Sequence, residues 1–65
     1  MWTVVFIARN RIEAESLKGV LDSEGILVML RPIGVPHLGD SGYVEILVPE
    51  CEVEEAQEIL QSTIR

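Results

Sequence analysis

The side chains with the most reactive chemistry are a single cysteine, Cys51, and a single histidine, His37. A cysteine next to a histidine can act as a nucleophile with its general base. Cys51, however, lies among glutamates that disfavour the thiolate form: Glu50, Glu52, Glu54 and Glu55. The chain also lacks the Cys and His spacing of a zinc site. We therefore expect a passive cysteine, a solvated loop histidine, no metal or other cofactor, and no catalytic residue.

A second group of residues could bind an anion, and its members are Arg9, Asn10, Arg11, Arg31 and His37. Free backbone N–H groups at a helix start attract anions, and nearby arginines strengthen that attraction. Arginines there oppose the helix dipole by about 0.3–1 kcal/mol each, and a broken local rule can mark a site. One hypothesis is a weak site for an anion, a nucleotide or an acidic peptide. The alternative, which the sequence favours, is solvated arginines paired with the carboxylates of Glu13, Glu15 or Asp40.

Three strands and two helices must position these residues, in the order βαββα. The predicted strands are Trp2–Ala8, Ile26–Arg31 and Tyr43–Val48, and the predicted helices are Arg11–Glu24 and Glu50–Thr63. Asn10 and Glu13 form a capping box before the first helix, and Gly25 supplies its C-terminal stop. The glycines and prolines of Ile33–Gly42 indicate a loop.

The order of the elements predicts one α+β domain over residues 1–65. A strand, a helix and a second strand form a right-handed crossover, so the first two strands run parallel. The third strand lies between them and antiparallel to both, giving the order 1-3-2 with both helices on one face. This is a split βαβ unit, a ferredoxin-like fold truncated before its fourth strand. In it Arg9, Arg11, Arg31, His37 and Arg65 all lie at one end.

The other face of this sheet is unusually apolar. Val44, Ile46 and Val48 alternate as a set that meets the helices. The first two strands are apolar at both parities, so each exposes apolar side chains on the open face. A patch of several such residues exceeds what monomers usually expose. We expect a homodimer or a protein partner on this face or on the free edge of the first strand. The alternative is a face covered by the chain's own loop and C-terminus.

Composition narrows the classes of partner. The net charge is −6 and the pI about 4.5, which argues against nucleic acid and against anionic membranes. No apolar run is long enough to cross a bilayer. A lone cysteine allows no internal disulfide, and a core this small supplies about 3–5 kcal/mol at most, which favours self-association. A free cysteine without a leader sequence is expected of a cytoplasmic protein.

The residue pattern resembles a known family. The residues that carry the resemblance are Trp2–Ala8, Asn10, Glu13-Ala14-Glu15, Leu17, Leu21, Glu24-Gly25-Ile26, Val44–Pro49, Glu55-Ala56 and Ile59-Leu60. They resemble the small bacterial domains called putative prokaryotic signal-transducing proteins. The resemblance implies a fold grouped with the PII-like nitrogen-regulatory proteins, without their fourth strand. The loop Ile33–Gly42 corresponds in position to the PII signalling loop and is much shorter. The resemblance supplies no catalytic residue.

The sequence therefore leads to two functional hypotheses. The first is a non-enzymatic regulatory domain that acts as a homodimer or docks a protein partner. The alternative is a sensor that binds a small anion or a nucleotide at the arginine-rich end.

Overall fold

The structure is a computed structural model that describes residues 1–33 and 42–64. Its strands are β1 (Trp2–Ala8), β2 (Met29–Pro32) and β3 (Val44–Pro49), and its α-helices are α1 (Arg11–Ser23) and α2 (Val53–Ile64). A short 3-10 turn, Glu50–Glu52, leads into α2. The predicted order and the α+β class are confirmed. Most of the predicted loop Ile33–Gly42 lies outside the described residues.

The three strands form one sheet in the order β1-β3-β2, with β3 antiparallel to both neighbours. β1 and β2 therefore run parallel to each other, as predicted. Ala8 and Pro32 both lie opposite Val44. This shared register means that β1 and β2 end at the same end of the sheet, and the residues that follow Ala8 begin there too.

Helix α1 begins and ends where its capping residues predict. Asn10 Oδ1 accepts a 2.7 Å hydrogen bond from the Glu13 N–H. The Glu13 carboxylate reaches back to the Arg9 N–H at 2.8 Å, so one free donor of the first turn and the N–H of the residue before the cap are both satisfied. Gly25 follows the helix with φ +83°, a left-handed conformation that favours glycine.

Two predicted boundaries are wrong by more than one residue. β2 begins at Met29, opposite Leu47, instead of at Ile26, although β3 continues for two more residues to Pro49. The Ile26 N–H instead donates to the Leu21 carbonyl at the end of α1, at 3.1 Å, so the chain joins the sheet later than predicted. The second helix was expected from Glu50, but its first three residues form a 3-10 turn. Such turns are common at helix ends, where several carbonyl and N–H groups lack α-helical partners.

The core lies between the sheet and both helices. The set Val44, Ile46 and Val48 is buried there, which confirms its predicted orientation. The helices contribute buried side chains at helical spacing: Ala14, Leu17 and Leu21 from α1, and Ala56 and Leu60 from α2. Both helices therefore cover the same face of the sheet, and their apolar stripes supply the core.

Strand β1 contains an irregularity that changes which side chains share a face. Val4 lies opposite Leu47 and Phe6 opposite Ile46, so Val5 is an extra residue in β1. Val5 and Phe6 both pack against the core. This is the geometry of a β-bulge, in which two residues of one strand oppose one of the other.

Candidate functional site

The arginines predicted to share one end of the fold do so by register. Arg31 lies on β2 opposite Glu45, one residue from the pair formed by Pro32 and Val44. Arg9 and Arg11 follow Ala8, which also pairs with Val44. His37 and Arg65 were predicted to join them, but both lie outside the described residues. Register thus brings three of the predicted cations to one end.

Each of these three arginines has a carboxylate partner within the chain. Arg9 Nε lies 3.8 Å from Glu13 Oε1, and Arg11 Nε lies 3.0 Å from Glu15 Oε2. Arg31 Nη2 lies 2.6 Å from Glu45 Oε1. Asn10 is occupied as the helix cap. An anion at this end would have to compete with carboxylates already in place.

Cys51 is exposed within the 3-10 turn before α2. This position is at the Pro49 end of β3, away from the end where Ala8 and Arg9 lie. Among residues 1–33 and 42–64, no three His, Cys, Asp or Glu side chains are grouped to hold a metal ion.

A shallow groove of about 380 Å³ runs beside α1. Its lining residues are Glu15, Lys18, Gly19, Asp22 and Leu30. The charged groups in it already pair within the helix, Lys18 Nζ with Asp22 Oδ2 at 2.9 Å and Glu15 with Arg11. Exposed pairs of this kind are ordinary features of a solvated helix.

The sheet face opposite the helices carries a continuous apolar surface. The register arranges its side chains in three rows across the strands: Trp2 and Pro49, then Val4, Leu47 and Met29, then Ile7, Glu45 and Arg31. We call this surface the open face. Leu47, at the centre, is only 3% exposed, and the accessible apolar surface comes from the side chains around it, with Ile7 48% and Trp2 40% exposed. Large side chains thus surround an apolar centre on a face that neither helix covers.

The bulge decides which residues of β1 reach the open face. The alternating pattern predicted either the set that contains Trp2 and Val4 or the set that contains Ile7. Because Val5 is an extra residue, the open face receives Trp2 and Val4 from one set and Ile7 from the other. The sequence left the parity of this strand open, and the prediction of apolar side chains on the open face is confirmed.

The open face is nearly neutral in a strongly acidic protein. Its one described ion pair joins Arg31 to Glu45, which is 17% exposed at its side chain. In contrast, the residues from Glu50 to Ile64 include five acidic side chains and no basic one: Glu50, Glu52, Glu54, Glu55 and Glu58. Negative charge is therefore concentrated at the start of α2 and along it, away from the open face.

Comparison with known proteins gives one match. A family model described as "Putative prokaryotic signal transducing protein" matches residues 2–64. No curated protein and no solved structure matches the chain. Over the described residues, neither helix is long and apolar enough to cross a bilayer. The chain belongs to the family of putative prokaryotic signal transducing proteins.

Proposed function

We propose that this domain is a non-catalytic interaction module in signalling, and that it binds a protein partner through the open face. The observation that carries the proposal is the group of exposed apolar side chains on this face, which surround the buried Leu47: Trp2, Val4, Ile7 and Met29. A large patch of exposed apolar side chains, here on a face that neither helix covers, is typical of an interaction surface. The family description is consistent with a role in signal transduction.

The amount of apolar surface also supports this proposal. A domain of 65 residues buries a smaller fraction of its surface than larger domains do and is only marginally stable alone. Covering the open face would remove further apolar surface from water, at roughly 25 cal/mol per Å². A bound partner would therefore stabilise the domain, and binding would be linked to folding.

Site-specific photo-crosslinking tests this function in the cells that produce the protein. A photoreactive residue replaces Ile7 on the open face, and the matched control replaces Ile12, which is 75% exposed on α1. We expect a discrete protein crosslink from position 7 and none from position 12. Crosslinks of equal yield at the two positions, or none at position 7, would refute the proposed function.

Anion sensing at the arginine-rich end is the weaker candidate. The observation in its favour is the register that brings Arg9, Arg11 and Arg31 to one end. Against it stand the carboxylates beside the three arginines, Glu13, Glu15 and Glu45, because their negative charge weakens the attraction of this end for an incoming anion.

A further inference from the structure

We infer that the first half of β1 has two registers on β3, the bulged register of the structure and a regular register shifted by one residue. In the bulged register Val4 lies opposite Leu47 and Val5 is the extra residue. In the regular register Val5 lies opposite Leu47, and β1 from Phe6 onward keeps its present partners. The shift moves Trp2 and Val4 from the open face to the covered face, the one that packs against the helices. The fold thus contains a switch that changes how much apolar surface the open face presents.

The order of side chains in β1 permits this shift. A one-residue slip turns every side chain of a strand to the other face, and it is normally prevented because the apolar set would leave the core. In this strand the slip exchanges Val5 for Val4 on the covered face, so one valine replaces another. It also exchanges Thr3, which is half-buried opposite Val48, for Trp2. The covered face therefore keeps its apolar character in both registers.

Opposing contributions bring the two registers close in free energy. The bulged register buries both Val5 and Phe6 against the core, but it leaves Trp2 40% and Val4 37% exposed on the open face. It also places the hydroxyl of Thr3 on the covered face and leaves the extra residue without a partner in the ladder. The regular register restores that partner and covers the tryptophan, at the cost of the contacts that Val5 makes with the core.

The backbone can make the shift without losing its last hydrogen bond to β3. The Glu50 N–H donates to the Met1 carbonyl at 2.8 Å in the bulged register. In the regular register the Trp2 carbonyl takes the place of the Met1 carbonyl, so the Glu50 N–H keeps an acceptor. The other end of the strand stays fixed, because Ala8 pairs with Val44 in both registers. The shift therefore displaces only the start of β1, by the length of one strand residue, about 3.3 Å.

The shift changes the composition of the open face. In the regular register Thr3 and Val5 take the places of Trp2 and Val4, so the face loses its tryptophan. A molecule that contacts Trp2 on the open face binds the bulged register alone and increases its population. This inference goes beyond the proposed function and holds whether or not a partner binds. Ile7 lies on the open face in both registers, so the photo-crosslinking experiment at position 7 does not depend on the shift.

The first experiment traps each register with a disulfide in the purified full chain, in a Cys51→Ser background. Val4→Cys with Leu47→Cys reports the bulged register, and Val5→Cys with Leu47→Cys reports the regular one. Residues directly opposite each other in a sheet lie close enough for a disulfide. The matched control is Phe6→Cys with Leu47→Cys, because these two side chains lie on opposite faces in both registers.

The three double variants are equilibrated in a buffer of reduced and oxidised glutathione. We expect a disulfide in both reporter pairs and none in the control pair. A disulfide in only one of the reporter pairs would mean a single register and overturn the inference. A control disulfide as stable as that of the Val5 pair would assign the bond to unfolded chains and overturn it too.

The second experiment uses lysine, which is costly to bury, to select a register. Val4→Lys is exposed in the bulged register and Val5→Lys in the regular one, so each single variant has a register that leaves its lysine on the open face. The double variant has none. We expect cooperative urea unfolding from both single variants and a loss in the double variant that exceeds the sum of the two.

The matched control combines Val5→Lys with Ile12→Lys on the exposed surface of α1, and it should be as stable as Val5→Lys alone. If Val5→Lys were unfolded while Val4→Lys folded, the bulged register would be the only one and the inference would be overturned. A double variant whose loss equals the sum of the single losses would overturn it as well.

The outcomes separate this inference from the proposed function. Disulfides in both reporter pairs, without a crosslink specific to position 7 in cells, would support the two registers and refute the interaction module. A disulfide in one reporter pair alone, together with a specific crosslink from position 7, would overturn the two registers and keep the interaction module.

Discussion

Arg31 and Glu45 join β2 to β3 across the open face, with Nη2 and Nε of the guanidinium 2.6 and 2.7 Å from Oε1 of the carboxylate. The two residues are also direct partners in the sheet register. Cross-strand pairs of opposite charge stabilise a sheet by fractions of a kcal/mol. Glu45 therefore engages the Arg31 guanidinium, and the pair also holds β2, the shortest strand of the sheet, against the central strand β3.

A double-mutant cycle with Arg31→Gln and Glu45→Gln measures this pair. We expect a coupling of about 0.2–1 kcal/mol in the free energy of unfolding, reduced by salt, because Arg31 is largely solvated. Urea unfolding of the four proteins gives the value. The matched cycle on Arg11 and Glu15, an exposed pair within α1, should give about 0.3–0.5 kcal/mol. A coupling above about 2 kcal/mol would mean that the pair is more desolvated than its exposure indicates.

Phosphate titration distinguishes the two functional hypotheses. Because Arg9, Arg11 and Arg31 are paired with carboxylates, we expect no saturable shift of the Asn10 and Arg31 backbone amide signals when inorganic phosphate is added. A matched titration with chloride at equal ionic strength controls for screening. A saturable shift with phosphate alone would favour the anion sensor.

Alanine at two glycines should change stability in opposite directions. Gly19 lies inside α1, and a Cβ added there would meet no atom of another element within 4 Å, so Gly19→Ala should stabilise the domain by about 0.4–1 kcal/mol. Gly25 has φ +83°, and Gly25→Ala should destabilise it by about 1–2 kcal/mol. Thermal and urea unfolding measure both changes. Equal effects of the two substitutions would contradict a left-handed residue at the end of α1.

Removal of the helix cap should weaken α1. Asn10→Ala removes the acceptor of the Glu13 N–H and should lower the free energy of unfolding by about 1 kcal/mol. Asn10→Asp supplies an equivalent acceptor and is the control that should retain stability. If aspartate destabilised as much as alanine, the amide of Asn10 would have a role beyond capping.

Truncation in the core should destabilise the domain in proportion to the volume removed. Ile46 is fully buried, so Ile46→Val should lower the free energy of unfolding by about 0.5–1.5 kcal/mol and Ile46→Ala by about 2–5 kcal/mol. The alanine variant would then be largely unfolded, given the small stability of such domains. Ile12→Val, at an exposed position, should change stability by less than about 0.5 kcal/mol.

Much of the fold could be predicted because local signals coincide with element boundaries. Trp2–Ala8 is a run of β-formers with both bounds correct, and Asn10 and Gly25 fix the limits of α1. The bulge at Val5 could not be predicted, since it depends on how β1 aligns with β3 and no residue type in β1 requires it. The late start of β2 could not be predicted either, because the Ile26 N–H is used by the Leu21 carbonyl at the end of α1 instead of by the sheet.

The candidate site was predicted less completely than the fold. The apolar character of the open face follows from strands that are apolar at both parities. Which residues of β1 lie on that face depends on the bulge. The common end of Arg9, Arg11 and Arg31 follows from topology alone. The partner of Arg31 could not be predicted, because Glu45 is distant in sequence and only the strand register brings the two residues together.

The bulge and Pro32 have a consequence for how the sheet can grow. A chain with an unprotected strand edge can add copies without limit, which is the geometry of a fibril. Here β1 bulges at Val5 and β2 ends in Pro32, which has no N–H to donate. Both edges of the described sheet therefore discourage the addition of further strands, so we expect the protein to form no fibrils even when it is concentrated.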